Sequence, residues 1–502
     1  MGSSDRWTLT ERQNDPSRTH GLCSGHCVLP RPGSALPEFS HHDPTDGLRP
    51  SPPHQHLDVE MSRTSPHAKR AAVAGLMGAV VDWYDFFLYG IVAGLLFNDL
   101  FFPEVSPTVG TLAAWATFGV GFLFRPLGGI VFGHFGDRVG RKKMLVLTLV
   151  IMGLASTLIG VLPTYGEVGI WAPVLLVALR AVQGFAVGGE WGGAALMAVE
   201  SAPRKWRSLY GSGVQVGASV GLLLATAAIK IVSGRLPEAD FQQWGWRVPF
   251  VFSAALVIVG LIVRITVEES TVFTEQIAAR SKDQPLRLPL LAAIKANPGG
   301  FLAIIGLRFV ELFTFYGVTT FGVSYGTAEF GLNRDSMLTI NLVVGAAAIV
   351  TIPVFAYLAD RYGRGTIYAW GAGLGVLGSL PFFAALQSGS MVLILVASIL
   401  LVNGAHDMAV SVQQSLFTDM FGAEYRYSGA GVGYQLASAI GGGLTPLIAG
   451  VLVLWADGGW YLVAMYMLIG CGISFTVAIG LNANRTMDDA PEPTKPPARA
   501  TF

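Results

Sequence analysis

Asp82 and Asp85 stand three residues apart inside an apolar run, with Tyr84 between them and Tyr89 one turn on. On a helix that spacing puts both carboxylates on one face. Two carboxylates so close in a low dielectric do not both ionise freely, so one becomes a group that takes up and releases a proton near neutral pH. The competing reading is a permanent pairing of one of them with an arginine. Glu190, in the stretch Gly188-Gly189-Glu190-Trp191-Gly192-Gly193, is a third carboxylate able to protonate or to hold a cation. Asp82, Asp85 and Glu190 are therefore the proton-coupling candidates. Arginines lie in equally apolar surroundings: Arg125 before Pro126, then Arg180, Arg247 and Arg308. A guanidinium keeps its charge at any working pH and grips a carboxylate through two parallel hydrogen bonds. These four are the candidates for holding an anionic solute. Each has a second reading. Arg180 equally suits a carboxylate of the first helix, and Arg247 equally anchors its own helix end. Arg308 stands three residues before Glu311 and forms a self-satisfied pair with it unless Glu311 protonates and releases it. Among the aromatics, Tyr84 and Trp191 adjoin the charged motifs and are expected to line the cavity. His406 and Asp407 are a further candidate proton site.

The elements that must position these groups are membrane helices. Of 502 residues 52% are hydrophobic and only 13% charged, about half the charged share of a soluble domain, and the mean hydropathy is +0.52. So little polar surface cannot solvate a globule of this length, and the excess apolar residues need lipid as solvent. In that solvent each ionisable side chain costs at least about 2.5–3.5 kcal/mol to insert, so each one demands a function or a partner. Glycine, at 62 residues, suits helices that approach closely where lipid removes the hydrophobic drive. The formal net charge is zero, which gives no basic field for nucleic acid. Cys23 and Cys27, with His20, His26, His41 and His42 nearby, lack a second ligand pair at finger spacing, so no metal is expected.

Residues 1–70 form a polar tail rich in Pro, His and Ser, expected to be disordered, with no apolar segment of a secretory signal. Met61 is the expected native start. Twelve apolar runs follow, at about 71–98, 110–133, 143–163, 170–199, 207–231, 247–267, 300–326, 336–359, 366–387, 389–412, 427–454 and 459–481. The polar break 268–299 divides them into six-helix halves, 71–267 and 300–481, and 482–502 is a second polar tail. Lys and Arg cluster in the alternate breaks: Arg138, Arg141, Lys142 and Lys143; Arg204, Lys205 and Arg207; Arg280, Lys282, Arg287 and Lys295; Arg361 and Arg364; Arg426. On the other side stand only Lys230, Arg235, Arg247 and Arg334. That bias predicts a multi-pass protein of the cell (inner) membrane with both termini cytoplasmic. The halves also repeat. Gly133-His-Phe-Gly-Asp137-Arg138-Val-Gly-Arg141-Lys142 returns as Tyr357-Leu-Ala-Asp360-Arg361-Tyr-Gly-Arg364-Gly365. Glu200, Arg207, Gly213 and Gln215 return about 220 residues later as Asp419, Arg426, Gly433 and Gln435. A parallel repeat of six helices is a transporter plan with its solute site near midplane between the halves.

The repeated corner motif resembles the signature of the major facilitator superfamily. Further stretches narrow the resemblance: Asp82-Trp83-Tyr84-Asp85-Phe86-Phe87, Phe124-Arg125-Pro126-Leu127-Gly128-Gly129, Arg180-Ala-Val-Gln183-Gly184 through Glu190-Trp191-Gly192-Gly193, and Trp244-Gly245-Trp246-Arg247-Val248-Pro249. Over about 71–481 the chain is similar to the metabolite:proton symporters, whose members carry 2-oxoglutarate, citrate, shikimate, or proline and betaine. The resemblance implies an all-α membrane protein with the major facilitator fold, twelve transmembrane helices in two six-helix bundles related by pseudo-twofold symmetry. It implies proton-coupled import of a small organic metabolite, a carboxylate first of all, by alternating access. The alternatives it leaves are an osmolyte (proline/betaine) symporter and a sugar or drug transporter of the same superfamily. It favours Arg125 as solute ligand. It also implies a gating latch built from Asp137, Arg138, Arg141, Asp360, Arg361 and Arg364, in which the aspartate caps a neighbouring helix. Gly365 stands where the family has a second basic residue, which weakens the second latch, and no coiled-coil extension follows Leu481 to suggest osmosensing. The expected partners are the solute, protons and the lipid bilayer, with a monomeric protein and no nucleic acid. No cofactor is expected, the proton gradient being the energy source. No phosphate-binding loop occurs and no catalytic constellation points to an enzyme.

Overall fold

The computed structural model describes the backbone over residues 66–139, 141–189, 204–265, 294, 297–420 and 426–488, without the side chains of 66–75, 133, 134, 136–142, 204, 264, 426–429 and 483–488. All of these fall in one compact unit, Arg63–Phe502. The first half supplies α1 (Pro66–Leu95), α2 (Pro107–Val139), α3 (Arg141–Gly160), α4 (Trp171–Gly188), α5 (Arg207–Arg235) and α6 (Arg247–Ile265). The second supplies α7 (Pro298–Glu329), α8 (Arg334–Tyr362), α9 (Arg364–Ser388), α10 (Met391–Asp419), α11 (Ala430–Trp455) and α12 (Tyr461–Asp488). Eleven described helices are long and apolar enough to cross a membrane, and α6 makes twelve when joined to its lead-in Glu238–Gly245, bent from it by 46°.

Packing within each half follows one plan. In the first half α1 lies on α5, α2 on α4 and α3 on α6; in the second α7 lies on α11, α8 on α10 and α9 on α12. Between the halves α2 meets α11 and α5 meets α8. Adding six to every helix number turns one list into the other, which is the pseudo-twofold relation. Glycine permits the closest of these contacts. A Cβ on Gly184 would run into the carbonyl of Gly121, and one on Gly188 into the carbonyl of Arg125, so α2 and α4 touch backbone to backbone and hold Arg125 and Arg180 on facing surfaces.

Several helices outrun their apolar stretches. The expected breaks at 134–142 and 360–365 shrink to corners: α2 runs to Val139 with α3 starting at Arg141, and Gly363 alone separates α8 from α9. Gly363 has φ +104°, a conformation open to glycine and strained for other residues. The apolar reading stopped where charge began, whereas Arg and Lys are good helix formers and carry the helix into water. Likewise α10 continues past 412 to Asp419 because Gln413, Gln414, Ser415 and Thr418 are buried among other helices and face no lipid. Only residues up to Gly189 of the expected fourth run, 170–199, are described.

Candidate functional site

A narrow cleft opens among α1, α2, α3 and α4, and Asp82, Asp85, Phe86, Arg125, Arg180 and Gln183 line it. Positions 82, 85 and 86 share a face of α1 at 100° per residue. Asp85 is fully buried. It accepts hydrogen bonds from Ser156 of α3 at 2.6 Å and from Ser253 of α6. Ser156 accepts in turn from Gln183 Nε2 at 2.6 Å, and Gln183 Oε1 accepts from Arg180 at 3.1 Å. A chain of neutral donors and acceptors thus links Asp85 to Arg180 without a direct ion pair. A hydroxyl donates or accepts as required, so this chain can follow a change in the charge of either end.

The two arginines of the cleft rest on rings. Arg125, 4% exposed, lies 4.2 Å from the Phe122 centroid and 4.5 Å from that of Phe86. Arg180, 2% exposed, lies 4.2 Å from Tyr89 and 4.6 Å from Phe86. Arg125 makes no hydrogen bond or ion pair with any described residue, and its Nε is buried without a partner, as are Nε and Nη2 of Arg180. A cation held over π faces gains roughly 0.5–2 kcal/mol, well short of the several kcal/mol that desolvating it costs. A guanidinium so placed can take an anion.

The interface continues the cleft into the second bundle. Tyr316 of α7 packs edge-on against Phe122 at 5.8 Å, and Tyr316, Tyr434 and Arg308 all lie within electrostatic range of Arg125. Arg308 has the self-paired arrangement: it bonds Glu311 Oε1 at 3.0 Å, both almost wholly buried, and stacks 3.3 Å over the Tyr434 ring.

Two expected cavity residues lie elsewhere. The Tyr84 hydroxyl donates to the Pro249 carbonyl at 2.8 Å, joining α1 to α6. Two residues along a helix is 200° of rotation, so the residue two after Asp82 faces away from the cleft. Arg247 donates to the Leu162 carbonyl and stacks on Trp246 at 4.6 Å. It closes the end of α3 and does not line the cleft. Glu190 and Trp191 lie outside the described residues.

On the face that carries the corner motifs, Asp360 accepts from the backbone N–H of Ser208 at 3.1 Å and of Leu209 at 3.0 Å, capping the start of α5 from the other bundle. Arg364 bonds Ser208 Oγ at 3.0 Å and Asp419 at 2.6 Å, and approaches Asp360 at 3.5 Å. Arg361 is exposed and lies 5.5 Å from its neighbour Tyr362. The side chains of Asp137, Arg138 and Arg141 lie outside the described ones. On the opposite face Lys230 of α5 pairs with Asp335 and bonds Thr339 at 2.9 Å, while Arg334 bonds Glu238 at both oxygens, one at 3.0 Å. Both faces are tied across the two bundles.

Sequence reasoning passed over Ser156, Ser253 and Gln183, whose one signal was polarity inside apolar runs. It also passed over Asp419 as a latch residue, although the repeat had singled it out, and over Lys230 and Arg334 as partners of acids, although both stood out against the charge bias.

Residues 75–446 match the model of the Major Facilitator Superfamily. The chain is 56% identical over 412 residues to the shikimate transporter of Escherichia coli K12, covering 82% of this chain and 94% of that one. It is 33% identical to the proline/betaine transporter of the same organism, covering 77% of this chain and 78% of that one. A partially occluded inward-open structure of the xylose transporter XylE from E. coli superposes with TM-score 0.64 at 17% identity, covering 86% of this chain and all of that one. At that identity the last likeness speaks for the fold alone.

Proposed function

We propose that this chain, which belongs to the Major Facilitator Superfamily, imports a small organic carboxylate of the shikimate type together with a proton. The observation that carries the reading is the pair of buried guanidiniums of Arg125 and Arg180 over a cleft that also holds Asp82 and Asp85. The solute's carboxylate takes both donors of Arg125, and the surrounding rings of Phe86, Phe122 and Tyr316 accept its carbon skeleton. Protonation of Asp85 removes the one charge that the Ser156–Gln183 chain ties to Arg180, so proton and anion enter the site as a neutral pair. The 56% identity to a shikimate transporter supports this solute class.

Alternating access follows from the ties on the two faces. The face bearing Arg207, Arg361 and Arg364 is the cytoplasmic one by the bias of basic residues, which puts both termini in the cytoplasm. Asp360, Arg361 and Arg364, with Asp137, Arg138 and Arg141 as their repeats, form the inner gate. Lys230–Asp335 and Glu238–Arg334 form the outer one. The proton gradient supplies the energy and the protein works as a monomer.

Proteoliposomes with an inward proton gradient test the proposal. Labelled shikimate should accumulate about tenfold per pH unit for one proton per neutralised anion, with alkalinisation outside. Uptake driven only by an outward proton gradient, or a preference for proline, betaine or xylose over every carboxylate, overturns it.

A further inference from the structure

Asp407 of α10 is fully buried in the second bundle, away from the cleft. Its Oδ2 accepts from the Asn403 amide at 2.9 Å and meets the Thr351 hydroxyl of α8, and its Oδ1 lies 2.8 Å from Nδ1 of His406. The second amide hydrogen of Asn403 goes to the Val344 carbonyl at 2.9 Å. Thr351 Oγ1 also lies 3.1 Å from the Ala347 carbonyl. A hydroxyl has one hydrogen and two lone pairs. It donates to an ionised Asp407, or donates to Ala347 while accepting from a protonated one. The cage fits both states without moving a heavy atom.

The imidazole is the accessible part of the pair, 9% exposed against 0% for Asp407. A hydrogen on Nδ1 shared with the carboxylate leaves Nε2 as the basic nitrogen, the usual consequence of a carboxylate behind a histidine. His406 closes the π-helical turns Leu400–His406, a geometry that re-aims side chains and recurs at functional sites. Its ring packs 4.6 Å from Phe315 of α7, and Phe315 packs 5.2 Å from Phe87 of α1, across the bundle interface. Around the imidazole, α7 presents Phe315 with the Arg308–Glu311 pair one turn and more before it, α8 presents Thr351, and α10 presents Asn403 and Asp407. Among the described residues Asp407 is the charged group in contact with the ring.

We propose that His406, oriented by Asp407, is a second proton-binding site, in the bundle opposite the Asp82–Asp85 cleft. Nε2 takes a proton from hydronium, forming an N–H bond as the O–H bond breaks, and the imidazolium stays paired with Asp407. Release to water on the other side reverses the step. The charged ring is attracted to Phe315, which itself packs on Phe87 across the bundle interface. This rests on the proton-coupled reading above and adds a station to it.

The test uses the full chain in proteoliposomes, with shikimate uptake followed against external pH and solute exchange at equal pH as the check for a folded carrier. His406→Gln should flatten the pH profile of uptake and lower gradient-driven uptake roughly tenfold on the acid side of that profile, while exchange stays measurable. Asp407→Asn should lower uptake at each pH, and Asp407→Glu should restore part of it. A wild-type pH profile in His406→Gln overturns the proposal and leaves the cleft reading standing. A wild-type protein without any proton dependence overturns the cleft reading instead. Should His406→Gln not fold, histidine nitrogen resonances of the wild type decide. They should include one that titrates in the wild type and changes in Asp407→Asn, and its absence overturns the proposal.

Discussion

In the first bundle Arg125 and Arg180 rest on aromatic rings with no described carboxylate bonded to either, whereas in the second Arg308 grips Glu311 at 3.0 Å. The first helix of each bundle sets this contrast. α1 brings two acids, Asp82 and Asp85, and leaves the arginines to α2 and α4. α7 brings an arginine and its acid one turn apart. One scaffold, used twice, therefore links Asp85 to Arg180 only through neutral groups in one copy and carries a closed pair in the other. Separated charges in a low dielectric are unstable alone and stable once a proton and an anion arrive. A closed pair needs neither. In the proposed mechanism the duplicated framework supplies the rocking interface, while the distribution of a few ions decides which copy holds the solute's carboxylate.

The sharpest way to break this comparison is Asp85→Asn. The amide still bonds Ser156 and Ser253 and cannot ionise, so gradient-driven accumulation should fall to the level of passive equilibration, a loss of about 100-fold under a gradient of two pH units. Solute exchange, which moves no net proton, reports whether the carrier still cycles. Accumulation at wild-type level in this variant removes Asp85 from the coupling role.

Next in size is the paired replacement of the arginines. Arg125→Lys keeps a charge and loses the two-pronged donor, so the apparent KM for a carboxylate should rise about ten- to a hundredfold, the equivalent of roughly 1.4–2.8 kcal/mol. Arg308→Lys can still salt-bridge Glu311 and should raise KM less than Arg125→Lys, with its cost read mainly as a lower Tm. Equal effects of the two on KM would erase the distinction between a binding and a closed bundle.

How much of this was legible beforehand follows the physics of each signal. Helix number and the two halves were readable because an apolar run must be about 20 residues long to span lipid, and the repeat exposed the symmetry. The stretch around Gly363 was read as a loop because hydropathy reports the end of lipid and not the end of a helix. Within the site, ionisable residues announced themselves by their cost in lipid. Which of them meet was not legible: Tyr84 neighbours Asp85 in sequence and turns to Pro249 in space, and Arg308 lies far along the chain from Arg125 and near it across the interface. The serines and glutamine that connect Asp85 to Arg180 carry no such cost, and similar residues occur throughout the helices.

The smallest effect concerns the two ties that hold the faces shut. On the corner-motif face, the inner one in the proposed orientation, Asp360, 1% exposed at its side chain, caps two backbone N–H groups, and Asp419 joins Arg207 and Arg364. On the opposite face, the outer one in that orientation, the acids are far more open, Asp335 at 66% and Glu238 at 55%. An exposed ion pair is worth about 0.2–1 kcal/mol, and a buried charged hydrogen bond about 1.5–3 kcal/mol. The tie on that face is thus the weaker, and in the proposed orientation the carrier opens outward more readily than inward. Ser324, 5% exposed, bonds the Gly94 carbonyl where α7 meets α1, so a Ser324→Cys carrier reacts with a membrane-impermeant maleimide only when the outer face opens. Adding Asp335→Asn and Glu238→Gln should raise that labelling rate about two- to fivefold. High salt applied to Ser324→Cys alone should reproduce part of the rise, because exposed charges are screened. An equal or larger rise from Asp360→Asn in the same assay would contradict the ordering, since releasing the inner tie should draw the population toward the inward-open state and slow labelling from outside.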